Sequence, residues 1–284
     1  MSMRLLGLIL PLVFSVGANA RGVFLAHPKI VTVEIETLRP GQADIGYKEI
    51  EIKLNHFLGD FDMTVDEFQE LRKSDPDNKR IREVLSSTEF EKFLSTRRIQ
   101  AVRSPTGNLH MFDGHHLAKS YRILGVDKIE VEIPVDFTKC MDEERDLESC
   151  KKEFRNYMVD QKLVRLLDQA GKQITFRDLP KTVDGLVDNS FRSLAWVIKK
   201  GGVFKDLDLP FQEYEWADFL RRHFKENDWQ LEFTSDKDFL RAISRAIEVI
   251  EEFTFESNRL PGNRDFDRKK VLKNCEDLLL SYEI

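Results

Sequence analysis

The sequence is poor in cysteine and in long apolar runs, and it lacks an excess of positive charge. Its 44 Lys and Arg residues are outnumbered by 50 Asp and Glu residues, which gives a formal net charge of −6. A protein that holds nucleic acid by bulk electrostatics needs a clustered basic surface, so this balance argues against that mode and leaves room for a local basic groove. We find no low-complexity stretch and no internal repeat. With 284 residues, 41% hydrophobic and 33% charged, the chain can form two globular domains.

The one marked apolar run lies within the first twenty residues. Met1–Arg4 supply a short positive end, Leu5–Gly17 are apolar and uncharged, and Ala18-Asn19-Ala20 fit a signal peptidase site. An apolar run of 13 residues is shorter than the roughly 18 to 20 that span a bilayer. We therefore predict a signal peptide over residues 1–20 rather than a membrane anchor. The mature chain is expected to be exported, to the periplasm or the medium, without a membrane segment.

The three cysteines bear on whether the mature chain is exported. Cys140 and Cys150 flank an acidic stretch, and in an oxidising compartment a disulfide closing this small loop is a candidate. Cys275 is then left over. The alternative is three reduced cysteines, because pairing depends on a Cα separation that the sequence does not give.

The patterning changes near residue 142 and predicts an α+β fold. We place an α/β domain over residues 21–141 and a mainly helical domain over 142–284. In the first, Thr64 to Glu67 form a capping box that opens a helix. The other predicted elements there are strands over 30–35, 99–102, 109–112 and 126–135, and helices over 45–58, 81–94 and 117–124. The helices predicted in the second are 151–170, 191–199, 214–224, 236–255 and 268–280.

Asp113-Gly114-His115-His116, here called the DGHH turn, stands between a predicted strand and a predicted helix. Gly114 allows the backbone to approach a ligand, and the amides at the helix start attract anions, of which phosphate is the commonest. His115 and His116 are suited to donate to phosphoryl oxygens or to move a proton, and Asp113 is suited to orient an imidazole or a metal. The plainer interpretation is that Asp113 caps the helix and the histidines pack locally.

The hairpin followed by this turn and a helix resembles the phosphate-binding corner of the ParB/sulfiredoxin superfamily. Its counterparts are Gly-Glu-Arg-Arg in ParB proteins and Gly-Cys-His-Arg in sulfiredoxins. More closely, the chain is similar to the exported ParB-like putative nuclease family from about Val31 to Phe224. The matching segments are 38–42 with Gly46 and Glu49, 112–117, 189–195, 201–205 and 210–221.

The resemblance implies a ParB/sulfiredoxin-like fold for residues 21–141 and a phosphate held at Gly114, His115 and His116. It places Glu49 beside the turn, as a base or, with Asp113 and His116, as a ligand of Mg²⁺ or Mn²⁺. Arg192 and Lys205 are candidates to bring positive charge to the phosphate from the helical half. We expect Trp196 and Trp216 to pack in helix cores.

Two departures from the superfamily narrow the chemistry. His115 stands where sulfiredoxins have their cysteine, so sulfinic acid reduction has no nucleophile here. Leu117 replaces an arginine that both motifs carry, which weakens a nucleotide triphosphate clamp.

We therefore expect a nuclease that acts on phosphodiesters through Glu49, Asp113, His115 and His116. The alternatives are a phosphotransferase for a small metabolite of the free-serine type and a non-enzymatic phosphate-binding protein. The implied partner is nucleic acid or a phosphorylated small molecule.

Overall fold

The computed structural model describes residues 23–95, 98–143, 145–207, 209–226, 233 and 235–280, except the side chains of 23–26 and 141–143. The predicted signal peptide therefore lies outside the described residues. The strands are β1 Val23–Glu34, β2 Arg39–Pro40, β3 Asp44–Ile45, β4 Ile99–Arg103, β5 Leu109–Asp113, β6 Lys128–Asp136 and β7 Val187–Asp188. The helices are α1 Tyr47–Gly59, α2 Val65–Ser74, α3 Lys79–Leu85, α4 Thr88–Ser95, α5 His115–Leu124, α6 Leu147–Asp160, α7 Ser190–Gly201, α8 Gln212–Glu226, α9 Asp236–Glu252, α10 Thr254–Ser257 and α11 Arg268–Leu280.

Five strands form one mixed sheet in the order β1-β6-β4-β5-β2. β4 and β5 are an antiparallel hairpin, as predicted, while β2 runs parallel to β5 at the edge. A second, two-stranded sheet pairs β3 with β7 in parallel. Because β3 belongs to the first third of the chain and β7 directly precedes α7, this pairing brings the two halves together.

The two faces of the large sheet are covered by different parts of the chain. Strand side chains alternate between faces, so Ala101 and Met111 join a core with the helices α1 to α5. Val102 and Val135 point the other way, into a core formed with α6 and the loop that follows it. A disulfide between Cys140 and Cys150, with a Cα–Cα distance of 5.9 Å, ties α6 to the region just after β6.

The third core lies among α7, α8, α9 and α11. Trp216 is fully buried there and stacks on Phe204 with 4.4 Å between ring centroids, and Trp196 is also buried. Both tryptophans pack in a helical core, as expected. Cys275 lies in the same core as a free thiol, and burial raises its pKa to about 12.

The two largest errors among the predicted helices concern residues 81–94 and 151–170. The helix predicted over 81–94 is two helices, because the Ser87 hydroxyl accepts from the amide of Phe90 and restarts the helix there. The helix predicted over 151–170 ends at Asp160, and Lys162 has a left-handed φ of 53°, which a continuing helix does not allow. Residues 163–179 instead run over the sheet.

The fold is α+β, with an N-terminal domain built on the mixed sheet and helices in the C-terminal region. The domain boundary between residues 141 and 142 stays a prediction. Helix α6 follows this boundary in sequence but packs on the sheet of the N-terminal domain. In the described part of the chain, every helix is too short or too polar to cross a membrane.

Candidate functional site

The DGHH turn joins the end of β5 to the start of α5. Gly114 has a φ of 86°, in the left-handed region, and a Cβ there would lie 2.9 Å from the Ile99 side chain. Glycine meets both demands. Asp113 was expected to cap the helix, but the residue at the cap position is Gly114, and an Asp113 carboxylate oxygen accepts from the Gly114 amide at 2.7 Å. Asp113 is still paired in β5, and the helix begins two residues after it, at His115.

His115 faces the segment after β2. Its Nε2 accepts a hydrogen bond from the Gly41 amide at 3.0 Å, and the side chain is buried. Burial, helped by the positive charge of His116 when that ring is protonated, lowers the pKa of His115 to about 3. His115 is therefore a neutral imidazole whose Nε2 holds the loop 41–46 against α5.

His116 lies one position further along the helix and faces the start of α1. Its Nε2 accepts from the Gly46 amide at 3.2 Å, so the proton of the neutral ring is assigned to Nδ1. Burial lowers the pKa of His116 to about 3, although Glu49 works in the other direction. A Cβ on Gly46 would lie 2.7 Å from the Ser193 hydroxyl, so glycine allows the close approach of α7.

Glu49 is the carboxylate nearest to the turn. Its Oε2 is 3.4 Å from His116 Nε2 and 3.1 Å from Arg192 Nη1, and Lys53 Nζ is 2.5 Å from its Oε1. Burial by itself would raise the pKa of Glu49, but the charges of His116 when protonated, Arg192 and Lys53 hold it well below its usual range. Glu49 is therefore ionised at neutral pH.

Arg192 connects this carboxylate to the C-terminal half. Its Nη2 lies 3.6 Å from Glu213 Oε2, and Glu213 in turn pairs with Lys199. Arg192 Nε and Nη1 are buried and make no hydrogen bond of good geometry with the described residues. The result is a chain of alternating charges that runs from α1 through α7 to α8.

A second polar group lies beside the first and was missed by the sequence analysis. Asp44 is fully buried; it accepts from Asn189 Nδ2 at 2.8 Å and lies 3.3 Å from Arg165 Nη1. The Tyr214 hydroxyl accepts from Gln42 and donates to the Asp44 carbonyl oxygen. Gln42, Asn189 and Tyr214 fall inside the segments that carry the resemblance, which was the available signal. We call these residues together with the Glu49 group the polar seam.

The remaining predicted residues lie apart. Lys205 is exposed beyond the end of α7, where its carbonyl oxygen accepts from Gln212. Within the described ranges, no three His, Cys, Asp or Glu side chains are placed to hold a metal ion, so Glu49, Asp113 and His116 do not form the expected ligand set. Glu49 oxygens contact Lys53 and Arg192 instead.

The backbone at the start of α5 is the other chemical feature of the turn. The first amides of any helix have no partner within the helix. For the amides of His115, His116 and Leu117 we find no acceptor in the described part of the chain. His116 and Leu117 are partly exposed, so water or an anion can reach this end of the helix.

A mixed sheet, a glycine-opened turn after its hairpin and a helical C-terminal region define the class of this protein as α+β. The model of the family described as "Putative ParB-like nuclease" matches residues 31–222, and the chain belongs to that family. The resemblance stated from the sequence is thereby confirmed.

Among solved structures, the chain is similar to protein Atu1540 from Agrobacterium tumefaciens. The TM-score is 0.58 at 24% identity, over 86% of this chain and 100% of that one. This likeness concerns the fold. None of the curated proteins compared with the chain matches it.

Proposed function

We propose that this protein binds phosphate esters at the DGHH turn and acts on phosphodiesters as a nuclease. The observation that carries the proposal is the start of α5, where the amides of His115, His116 and Leu117 have no acceptor in the described chain. Oriented amides and the helix dipole favour an oxyanion at this position.

The polar seam supports the same ligand. Arg192 is buried beside Glu49 and His116, and its Nε and Nη1 make no good hydrogen bond among the described residues. Its Nη1 is paired with Glu49 at 3.1 Å, which leaves the Nε–H as the donor suited to a phosphoryl oxygen. Lys53 adds a second positive charge next to Glu49.

The chemistry that these residues can supply is limited by their protonation. His115 and His116 are neutral, and the Nε2 atom of each accepts from a backbone amide. A role for them as proton donors near pH 7 is therefore weak. Glu49 is the carboxylate nearest to the turn, and its buried Oε2 makes no hydrogen bond of good geometry in the described chain, so we assign it the task of accepting a proton from the attacking water, even though the neighbouring cations weaken it as a base.

Cleavage of single- and double-stranded DNA and RNA, with and without Mg²⁺ or Mn²⁺, tests the proposal. We expect cleavage by the wild type and a loss of about 10²-fold or more in Glu49→Gln, the usual scale for a general base. Glu51→Gln is the matched control, since it removes an exposed carboxylate from the same helix. Absence of cleavage by the wild type, or equal rates in Glu49→Gln, would contradict the nuclease proposal.

A second candidate is phosphate-ester binding without turnover. The neutral, hydrogen-bonded histidines and the paired Glu49 favour it. It predicts that oligonucleotides or small phosphate esters bind to the wild type and are recovered intact. Turnover of free serine that depends on a nucleotide would instead support the phosphotransferase alternative.

We also propose that the chain is exported. The disulfide between Cys140 and Cys150 supports this, because structural disulfides persist in oxidising compartments. Fractionation of the source cells and N-terminal sequencing of the protein test the proposal. A mature chain that begins at Arg21 outside the cytoplasm is expected, and an intact chain confined to the cytoplasm would contradict it.

A further inference from the structure

A cleft of about 400 Å³ opens at the β2 edge of the large sheet. Its lining includes Arg39, His110, Phe176, Arg177, Leu179 and Lys181. Arg39 and His110 are register partners on the parallel strands β2 and β5. We call this feature the basic cleft.

The basic cleft has three cations and no acid among its lining residues. In the described part of the chain, no carboxylate lies within 4.0 Å of the side-chain nitrogens of Arg39, Arg177 or Lys181. Asp178, the neighbour of Arg177 in sequence, accepts instead from the amide and hydroxyl of Thr175. The positive charge of the cleft is therefore uncompensated in a protein whose net charge is −6.

The wall between these cations is aromatic. The His110 ring lies 4.9 Å from the Phe154 ring and 5.7 Å from the Phe176 ring, measured between centroids. Burial, and then the charge of Arg39, lower the pKa of His110 to about 4, so the imidazole is neutral at pH 7. Phe176 is partly exposed at the cleft. A flat apolar group can stack here while an attached anion meets the cations.

The basic cleft is separate from the DGHH turn. His110 and Phe112 face the core of α6, whereas Met111 faces the core of α5, so the two sites open on opposite faces of the sheet. Three residues of β5 lie between His110 and Gly114, and the four residue steps span about 13 Å of extended strand.

We propose that the basic cleft is a second binding site, for a nucleotide unit whose phosphate contacts Arg39, Arg177 and Lys181 and whose base stacks on Phe176 beside His110. Base stacking on aromatic rings beside cations is the usual way in which proteins hold single-stranded nucleic acid. The same chemistry would accept a free nucleotide. The net charge of −6 leaves room for a local basic groove, and this cleft is one.

Fluorescence anisotropy with a labelled oligothymidylate tests the proposal. We expect Arg177→Ala/Lys181→Ala to weaken binding about tenfold or more at low salt, and to reduce the slope of log K against log salt by about 1.4, or roughly 0.7 per lost phosphate contact. The matched control is Lys152→Ala/Lys269→Ala, which removes two exposed cations elsewhere. Equal weakening in both double variants, or in neither, would overturn the proposal.

A competition experiment identifies the source of the phosphate, and an NMR titration identifies where the ligand binds. If thymidine monophosphate or inorganic phosphate displaces the oligonucleotide at comparable concentration, the ligand is a free phosphate ester; if only longer strands compete, it is a nucleic acid strand. A methylphosphonate oligonucleotide, which lacks the charge, should not bind. The His110 ring resonance, assigned by its loss in His110→Gln, should move with phosphate in wild type and in Glu49→Gln. A His110 resonance that stays fixed while the oligonucleotide binds would place the ligand elsewhere and overturn the proposal.

Discussion

The polar seam and the basic cleft hold similar side chains in opposite circumstances. In the seam, Arg192 is 7% exposed and lies next to carboxylates that are 6% and 16% exposed. In the cleft, Arg177 and Lys181 are exposed and no carboxylate of the described chain is near them. Buried charges require partners within the fold, and these residues join the two halves. Exposed charges around a concave surface require none, so they are available to a ligand.

The histidines make the same contrast and give the largest expected effect. His115 and His116 lie in the DGHH turn and His110 in the cleft, and the folded-state pKa values of all three are lowered, to about 3, 3 and 4. Between pH 6.5 and 5 these histidines become protonated in the unfolded chain but stay neutral in the folded chain. The three histidines therefore make their full contribution to stability above pH 6.5. As the pH drops below this value, the free energy of unfolding falls by up to about 4 kcal/mol per pH unit for the three groups.

Urea unfolding at pH 7, 6, 5.5 and 5 measures this slope. The pKa of Glu49 is lowered in the folded chain, so its contribution to the free energy of unfolding is lost only below its unfolded pKa of about 4.5. His115→Gln/His116→Gln keeps an acceptor for each amide and should reduce the slope to about one third, the share of His110. A slope that is the same in this variant as in the wild type would contradict the assignment.

Removal of one seam cation is the next largest effect. Arg192→Ala leaves the Glu49 and Glu213 carboxylates buried with fewer partners, and we expect a loss of about 3–5 kcal/mol in the free energy of unfolding. Arg98→Ala is the control, because Arg98 pairs with Glu130, their side chains are 49% and 59% exposed, and exposed pairs contribute about 1 kcal/mol or less. Equal losses in the two variants would show that the seam is not a buried ionic layer.

Features decided by residues close in sequence could be predicted, whereas the long-range contacts of the polar seam could not. The capping box at Thr64 and Glu67 is confirmed, and the hairpin of β4 and β5 also, because each is decided by residues close in sequence. The contact of His115 with Gly41 spans 74 residues, and no local pattern encodes it. Family resemblance supplied the approach of Glu49 to the turn, which the residues alone did not.

The different orientations of the two histidines follow from helix geometry. Successive residues of an α-helix point about 100° apart, so adjacent side chains cannot face one ligand in the same way. His115 accordingly reaches Gly41, and His116 reaches Gly46. The sequence showed a His-His pair, and the prediction treated the two as equivalent because it placed the start of the helix at Leu117 rather than at His115.

The smallest predicted effect concerns the face of the large sheet that carries the basic cleft. On this face a disulfide has the connecting role that ion pairs have in the polar seam. Cys140→Ser/Cys150→Ser opens a loop with a sequence separation of 10 and should cost about 2–3 kcal/mol in the chain-entropy model. Because the disulfide ties α6 to the sheet, we expect the His110 environment to loosen more than that of His116. Hydrogen exchange of β5 and α5 amides measures this, and a uniform change in both would contradict it.

We expect the start of α5 to bind phosphate through its backbone amides. Titration of ¹⁵N-labelled protein with inorganic phosphate and with a short oligonucleotide tests it directly. We predict that the amide resonances of His115, His116 and Leu117 move and saturate together, also in Arg177→Ala/Lys181→Ala, where the cleft is disabled. If these three amides stay fixed while residues of the basic cleft move, the DGHH turn is a structural corner and the phosphate site lies on the other face of the sheet.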